Sequence, residues 1–268
     1  MTTGIEIQNL SFQYEGGVEA LRNISLAVQQ GETIALLGHN GSGKSTLVKH
    51  LNGLLRPSQG IVKINGIITA DQRTAQLASM AALLFQNPDD QICKGSVWKE
   101  MLFGPRNLGY DDNRTHELAN RFLSAFDLLE MKDCNPHDLG LSERKRLAIA
   151  SVFAMDTGIV VLDEPTAGLD HREISLLKTA ILQLKLEQKT LVIISHDMDF
   201  IAENTSRAIC LEKGSKQFDG STLALFNNPG LLEQCSLLPP QVAQLASQCD
   251  IRLNDLTPKG FLEELIAT

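Results

Sequence analysis

Gly38-His39-Asn40-Gly41-Ser42-Gly43-Lys44-Ser45 is the stretch on which the fold turns. It matches G-x-x-x-x-G-K-[ST], in which glycines let the backbone curl until successive N–H groups face inward and hold phosphate oxygens. Residues 34–37 upstream read as a short apolar strand running straight into Gly38. Downstream, Leu47, Leu51, Leu54 and Leu55 make a helical stripe that ends at Arg56-Pro57. A strand before and a helix after separate this motif from an accidental glycine-rich turn. The helix N-terminus adds partial positive charge, worth ~0.3–1 kcal/mol to an anion at an exposed site. Lys44 is then placed for the β- and γ-phosphates of a nucleotide and Ser45 for a magnesium ion. The nucleotide-binding set read here is Gly38, His39, Asn40, Gly41, Ser42, Gly43, Lys44, Ser45 and Thr46.

A second stretch, Ile159-Val160-Val161-Leu162-Asp163-Glu164, supplies the acids such a loop needs. A bare apolar run marks a strand buried on both faces. Open α/β sheets place ligands at the C-terminal ends of such strands. Asp163 is expected in the magnesium shell. Glu164 is expected to orient and deprotonate an attacking water, a role that contributes about 10²–10⁴-fold. An acidic pair in an exposed turn would not need the apolar run in front of it.

Around these motifs, the first 35 residues read as strands joined by turns, with Ile5 and Ile7 alternating with Glu6 and Gln8. Glu15-Gly16-Gly17 is read as a turn and Asn65-Gly66 as a hairpin turn within a strand region at 60–68. A further strand is expected at 80–85. Helices are expected at 113–131, with Leu118, Phe122, Phe126 and Leu129 on one face, and at 142–156. Ile174, Leu177, Ile181 and Leu184 set another helix, followed by a strand at 190–195. Strand and helix alternate through the second half, which predicts an α/β fold with a mostly parallel sheet and covering helices. A boundary falls near Asp219-Gly220, beyond which short helices and Pro239-Pro240 read as an appendage.

Composition narrows the function classes. The 268 residues carry a formal net charge of −8, which argues against sequence-independent binding to nucleic acid. Aromatics make up 5%, so the core rests on aliphatic residues. Five scattered cysteines form no C-x-x-C pair and predict reduced thiols rather than a zinc site or disulfide framework. The start MTTGIEIQNL lacks the pattern of a signal peptide, and no apolar run approaches the ~20 residues of a membrane-spanning helix. Any membrane association is therefore expected to go through a partner.

With both motifs in place, the order of several smaller ones is similar to the ATP-binding subunit of ABC transporters. Gln86, in Phe85-Gln86-Asn87-Pro88, resembles the family's Q-loop, which implies sensing of Mg²⁺ and of the membrane partner. Asp170, in Ala167-Gly168-Leu169-Asp170, resembles the D-loop. His196, after Ile193-Ile194-Ser195, resembles the switch histidine that contacts the γ-phosphate, and Tyr14 sits where the family stacks an aromatic on adenine. The resemblance covers about residues 3–220. It implies a P-loop NTPase of ABC type over residues 1–220, with an N-terminal antiparallel β subdomain and a helical subdomain at about 88–157. Residues 221–268 would form a small C-terminal dimerisation segment. Catalytic roles are implied for Glu164, His196 and Gln86, metal roles for Ser45, Gln86 and Asp163, and ATP with Mg²⁺ as the ligands.

The family signature, Leu-Ser-Gly-Gly-Gln, is not intact. Leu139-Gly140-Leu141-Ser142-Glu143-Arg144-Lys145-Arg146 stands in its place. Counted without gaps, Gly140 falls at the serine position and Ser142 at the second glycine; alternatively Ser142 caps a helix that starts two residues late. Family members pack head to tail, each signature closing on the γ-phosphate held by the other subunit, so Gly140, Leu141, Ser142 and Asp170 are the expected dimer-interface residues. Leu141 in place of glycine should hinder close backbone approach. A heterodimer with a second, intact ABC ATPase subunit is the expectation.

Phe85–Gln91 and the segment Phe103-Gly104-Pro105-Arg106-Asn107-Leu108-Gly109 resemble the ATPases of energy-coupling factor importers, which take up vitamins or transition-metal ions. Leu238-Pro239-Pro240-Gln241-Val242-Ala243 is similar to that family's C-terminal segment. The partners implied are a transmembrane coupling protein and a membrane substrate-binding protein, with the chain peripheral on the cytoplasmic face. The competing classes are a non-transport ABC ATPase of DNA repair or translation and a regulatory nucleotide-binding subunit with little turnover. The span from Lys44 to Gly140 is too short for the coiled-coil insertions of repair forms, and one cassette argues against translation forms. Glu164 and His196 argue against the regulatory class.

Overall fold

A computed structural model describes residues 2–249 and 251–267; the outer limits of the two expected segments, at Met1 and Thr268, lie outside it, as does Asp250. Strands β1 (Thr3–Gln13) and β2 (Glu19–Gln29) pair antiparallel across a turn in which Gly16 and Gly17 take φ values of 104° and 90°. Strand β3 (Thr33–Leu37) leaves this hairpin, is buried along its whole length, and runs into the glycine loop. Helix α1 (Lys44–Leu51) follows and buries Leu47 and Leu51. It ends before Leu54 and Leu55, shorter than the leucine stripe suggests, because Asn52 caps it and Gly53 turns out at φ 71°. Strands β4 (Gln59–Ile64) and β5 (Ile67–Ile68) meet at the Asn65-Gly66 turn.

Helix α2 (Thr74–Ala78) leads to β6 (Ala81–Leu84). Then come three helices, α3 (Val97–Asn107), α4 (Asp112–Ala125) and α5 (Leu141–Ala154), within the span expected to be helical. Helix α4 stops six residues before the expected Met131. Asp127 takes φ 53° and the Leu128 N–H bonds the Leu123 carbonyl at 2.8 Å, a left-handed C-terminal cap that lets Phe126 and Leu128 turn into the core. Leu129 therefore lies in a separate short 3₁₀ turn rather than on the helix.

The second half alternates as expected: β7 (Ile159–Asp163), α6 (His171–Leu186), β8 (Thr190–Ile194), α7 (Met198–Asn204), β9 (Arg207–Glu212) and β10 (Ser215–Ser221). Among the described residues, four short helices follow: α8 (Thr222–Phe226), α9 (Pro229–Gln234), α10 (Gln241–Gln248) and α11 (Pro258–Ala267). They bury Leu225, Phe226 and Leu232, and the link after α9 buries Leu237, in the same apolar cluster as α4 and α5.

Among the described residues there are two sheets. One is antiparallel, in the order β2-β1-β4-β5; the other has the order β10-β9-β3-β8-β7-β6. In the second, β9, β3, β8, β7 and β6 are mutually parallel and only the edge strand β10 is antiparallel. One apolar cluster (Ile5, Leu10, Leu36, Leu47, Val161) joins the antiparallel sheet and α1 to one face of the parallel sheet; the other covers the opposite face with α4, α5 and α6. The consequence for function is the neighbour order β3-β8-β7. Three adjacent parallel strands deliver the glycine loop, Ser195-His196 and Asp163-Glu164 to the C-terminal end of the sheet.

Candidate active site

The loop between β3 and α1 depends on its glycines. Gly38, Gly41 and Gly43 take φ values of 142°, 81° and 106°. A Cβ on Gly38 would fall 2.2 Å from the Leu211 carbonyl oxygen, and one on Gly43 would fall 2.8 Å from that of Ala20. The backbone thus curls against β9 and β2 as only glycine permits. Gly43 is the N-cap of α1, which aims the helix N-terminus along the loop. Ser42 is buried, its N–H bonding the His39 carbonyl, and its Oγ is without a protein partner. The Lys44 ammonium donates to the carbonyls of Gly38 (2.7 Å) and His39 (3.0 Å), and burial holds its pKa below the usual lysine value.

Ser45 Oγ donates to Asp163 Oδ2 at 2.9 Å, which ties the start of α1 to the end of β7. Burial raises the Asp163 carboxyl, opposed by this hydrogen bond and by Lys44, Lys145 and Lys49. Glu164 follows it in the chain, held at φ 50° with its N–H on the Ile194 carbonyl at 2.8 Å. A non-glycine residue in the left-handed region costs ~1–3 kcal/mol and persists where the surroundings enforce it. Burial raises Glu164 as well, partly offset by His196.

His196 completes the arrangement. Its N–H donates to Glu164 Oε2 at 3.2 Å, its Nε2 stands 3.7 Å from Glu164 Oε1, and the same ring nitrogen lies 3.0 Å from Asn40 Oδ1. The imidazole therefore bridges the glycine loop and the acid. Tyr14 extends from the β1–β2 turn; its hydroxyl shares a 3.0 Å hydrogen bond with Thr46 Oγ1 and its ring packs edge-on against Phe12.

Tyr14, Asn40, Gly41, Gly43, Lys44, Ser45, Thr46, Gln86, Asp163, Glu164 and His196 surround one cavity of about 490 Å³. The expected nucleotide, metal and catalytic residues are thus brought together. Gly38, His39 and Ser42 shape the loop without lining the cavity. A second cavity of about 740 Å³ adjoins it, shares Ser45, Gln86 and Asp163, and is closed by Leu141, Lys145 and Gly168.

Of the expected interface residues Gly140, Leu141, Ser142 and Asp170, Leu141 lines this second cavity. Gly140 is the N-cap of α5, at the serine position of the ungapped count, and donates its N–H to Glu143 Oε2 at 2.7 Å. Ser142 sits in the first turn, so the alternative in which it caps a later helix is overturned: Glu143 already satisfies the Gly140 end. Leu141 is 59% exposed at the mouth of the second cavity, facing Gly168. Asp170 lines neither cavity; its Oδ1 accepts from the Glu173 N–H at 2.8 Å and caps α6.

Two residues escaped sequence reasoning, Lys49 and Lys145, both on the wall of the second cavity. Lys145 is 2% exposed and donates to the Gln86 carbonyl at 2.9 Å. It stands in the run Glu143-Arg144-Lys145-Arg146, which reads as a solvated face. The usable signal was its place at the head of the run Leu147-Ala148-Ile149-Ala150, in a stretch of α5 that from Lys145 to Ala154 is buried at every position but Ser151.

Residues 21–167 match the family described as ABC transporter. A Pyrococcus furiosus relative is 40% identical over 262 residues, 98% of each chain. The energy-coupling factor transporter ATP-binding protein EcfA of Methanothermobacter thermautotrophicus is 37% identical over 259 residues, 96% of this chain and 81% of that protein. Among solved structures, cbiO1 of Clostridium perfringens, part of the ABC transporter complex cbiONQ, superposes with a TM-score of 0.76 at 28% identity, covering 92% of this chain and 100% of that one. The chain spans only 39% and 43% of the length of two longer relatives from Methanosarcina acetivorans and Methanosarcina mazei.

Proposed function

The chain belongs to the ABC transporter ATP-binding family, a family of ATPases, and from that premise we propose that it energises an importer of the energy-coupling factor type that takes up a vitamin or transition-metal ion. The observation that carries this reading is near-full-length similarity to EcfA, together with the cbiO1 superposition. The sequence Phe85-Gln86-Asn87-Pro88-Asp89-Asp90-Gln91 beside the site supports it.

In this reading the loop N–H groups and Lys44 hold the phosphates of ATP, and Tyr14 stacks on the adenine. Ser45, Asp163 and Gln86 would hold Mg²⁺. Hard oxygen donors suit that ion, and one carboxylate beside nucleotide phosphates is its usual protein share. When bound, the ion supplies charge neutralisation at the terminal phosphates. Glu164 orients and deprotonates the attacking water, and His196 holds Glu164 in register with Asn40 while contacting the γ-phosphate.

The pair of subunits would close head to tail. At the face this chain offers its partner, Gly140 has no hydroxyl and Leu141 projects where a close-approaching glycine would serve. We therefore favour a heterodimer in which this chain's own loop and acids turn over ATP quickly while the opposite site is slow. Residues 221–268, with Leu238, Leu245, Leu262 and Ile266 exposed, are the proposed dimerisation segment after an ATPase domain at 1–220. No helix among the described residues is long and apolar enough to cross a membrane. The similarity to EcfA and cbiO1 supports a peripheral position at the cytoplasmic face, against a transmembrane coupling protein. A separate membrane substrate-binding protein would select the cargo.

Tagging this chain and purifying it from membranes tests the reading. A second ABC ATPase and integral membrane subunits are the expected companions. Recovery as a homodimer without membrane proteins, or with nucleic acid, would contradict it.

A further inference from the structure

A buried lysine is costly unless its charge is met, and Lys145 is 2% exposed. It leaves α5 one turn after the degenerate signature and reaches back to donate to the Gln86 carbonyl at 2.9 Å. Asp163 and Glu164 are the acids whose fields favour its charged form. The contact is one of several that lace α5 to the 85–91 segment. The Arg144 guanidinium stands 3.1 Å from Asp89, and the Gln91 side-chain amide donates to the Ala148 carbonyl at 3.2 Å. Within the segment, Gln91 Oε1 accepts from the Phe85 N–H at 3.1 Å. Lys145 and Gln86 both line the cavity that also has Asp163 on its wall.

We propose that Lys145 is a positioning residue for ATP hydrolysis, whose ammonium pins the Gln86 backbone to the signature helix and so sets where the Gln86 side chain stands at the nucleotide cavity. A displacement of α5 then moves Gln86 with it. The signature that α5 presents to the partner subunit and the Gln86 side chain at this chain's own site thus form one mechanical unit. The idea rests on the reading of Gln86 as a residue of the active site and is independent of what the complex transports.

Lys145→Met removes the donor while keeping the length and bulk; Lys145→Gln keeps a donor and drops the charge. Both are measured, with Gln86→Ala as reference, in complexes purified through a tag on this chain. Lys145→Met should lower kcat about tenfold with the ATP KM within about twofold, and Lys145→Gln should recover most of that loss. Thermal unfolding midpoints identify a variant that has lost its fold; Lys145→Ala, which admits water to the cavity, then replaces it. Normal turnover in Lys145→Met, or equal losses in the Met and Gln variants, would overturn the proposal. A normal Gln86→Ala would overturn it together with the assignment of Gln86, whereas a slow Gln86→Ala beside a normal Lys145→Met would overturn the lysine's role alone.

Discussion

Ser45 Oγ donates to Asp163 Oδ2 across 2.9 Å although 118 positions separate the two residues in the chain. That hydrogen bond closes the phosphate loop onto the acid pair, and it depends on β3 and β7 lying one strand apart in the sheet. The pairing of β3 and β7 with β8 brings His196 to the same end of the sheet, between Asn40 and Glu164.

The Ser45–Asp163 pair should act on the metal-bound nucleotide rather than on the nucleotide alone. Asp163→Asn and Ser45→Ala are each expected to weaken ATP binding in Mg²⁺ by about tenfold or more while leaving binding in chelator within about threefold. Equilibrium titration with a fluorescent ATP analogue in both conditions checks this. Equal weakening in both would mean that the pair supports the loop and not the ion.

The signature offers a gain-of-function prediction. Gly140→Ser with Leu141→Gly restores the hydroxyl and the close backbone approach at the N-terminus of α5. The purified chain alone, assembled with itself, should then hydrolyse ATP about tenfold faster than the unaltered chain at high protein concentration. Steady-state phosphate release against protein concentration is the measurement; no gain would remove the physical basis of the heterodimer.

Lys145 makes a prediction about pH. Burial brings its pKa from the usual 10.5 to about 8. Between these two values the unfolded chain carries a proton that the folded chain has released, so stability from this group rises with pH across that window. Its charged form opposes folding below about 8 by up to ~3 kcal/mol. Chemical denaturation should therefore show the native chain gaining on Lys145→Met as pH is raised from 7 to 10. A constant difference between the two would show that Lys145 titrates in the folded chain as it does when unfolded.

Much of this site was legible in the sequence because it is built from local signals. The glycines at 38, 41 and 43 are required by left-handed backbone against Leu211 and Ala20, and the apolar run before Asp163 announces a strand buried on both faces. Element types followed from period and length. Ends were less legible where a cap overrides the apolar stripe, as at Asp127, which ends α4 early, and at Gly53, which ends α1. The start of α5 was undecided for the same reason: serine and glycine are both good N-caps, and the Gly140–Glu143 hydrogen bond that decides between them is visible only in three dimensions. Lys145 was hidden because a lysine within a charged run reads as solvent-facing, whereas its burial depends on α5 packing against the 85–91 segment far away in the chain.

Glu164 is where the account is most exposed to test. It is placed at φ 50°, with its carboxylate raised by burial and one oxygen 3.2 Å from the His196 N–H. Single-turnover ATP hydrolysis by the assembled complex, with Glu164→Gln in this chain, measures its contribution directly. The prediction is a loss of about 10²–10³-fold in the hydrolysis step with ATP still bound. Hydrolysis at the unaltered rate would place the chemistry elsewhere and contradict the assignment of this site.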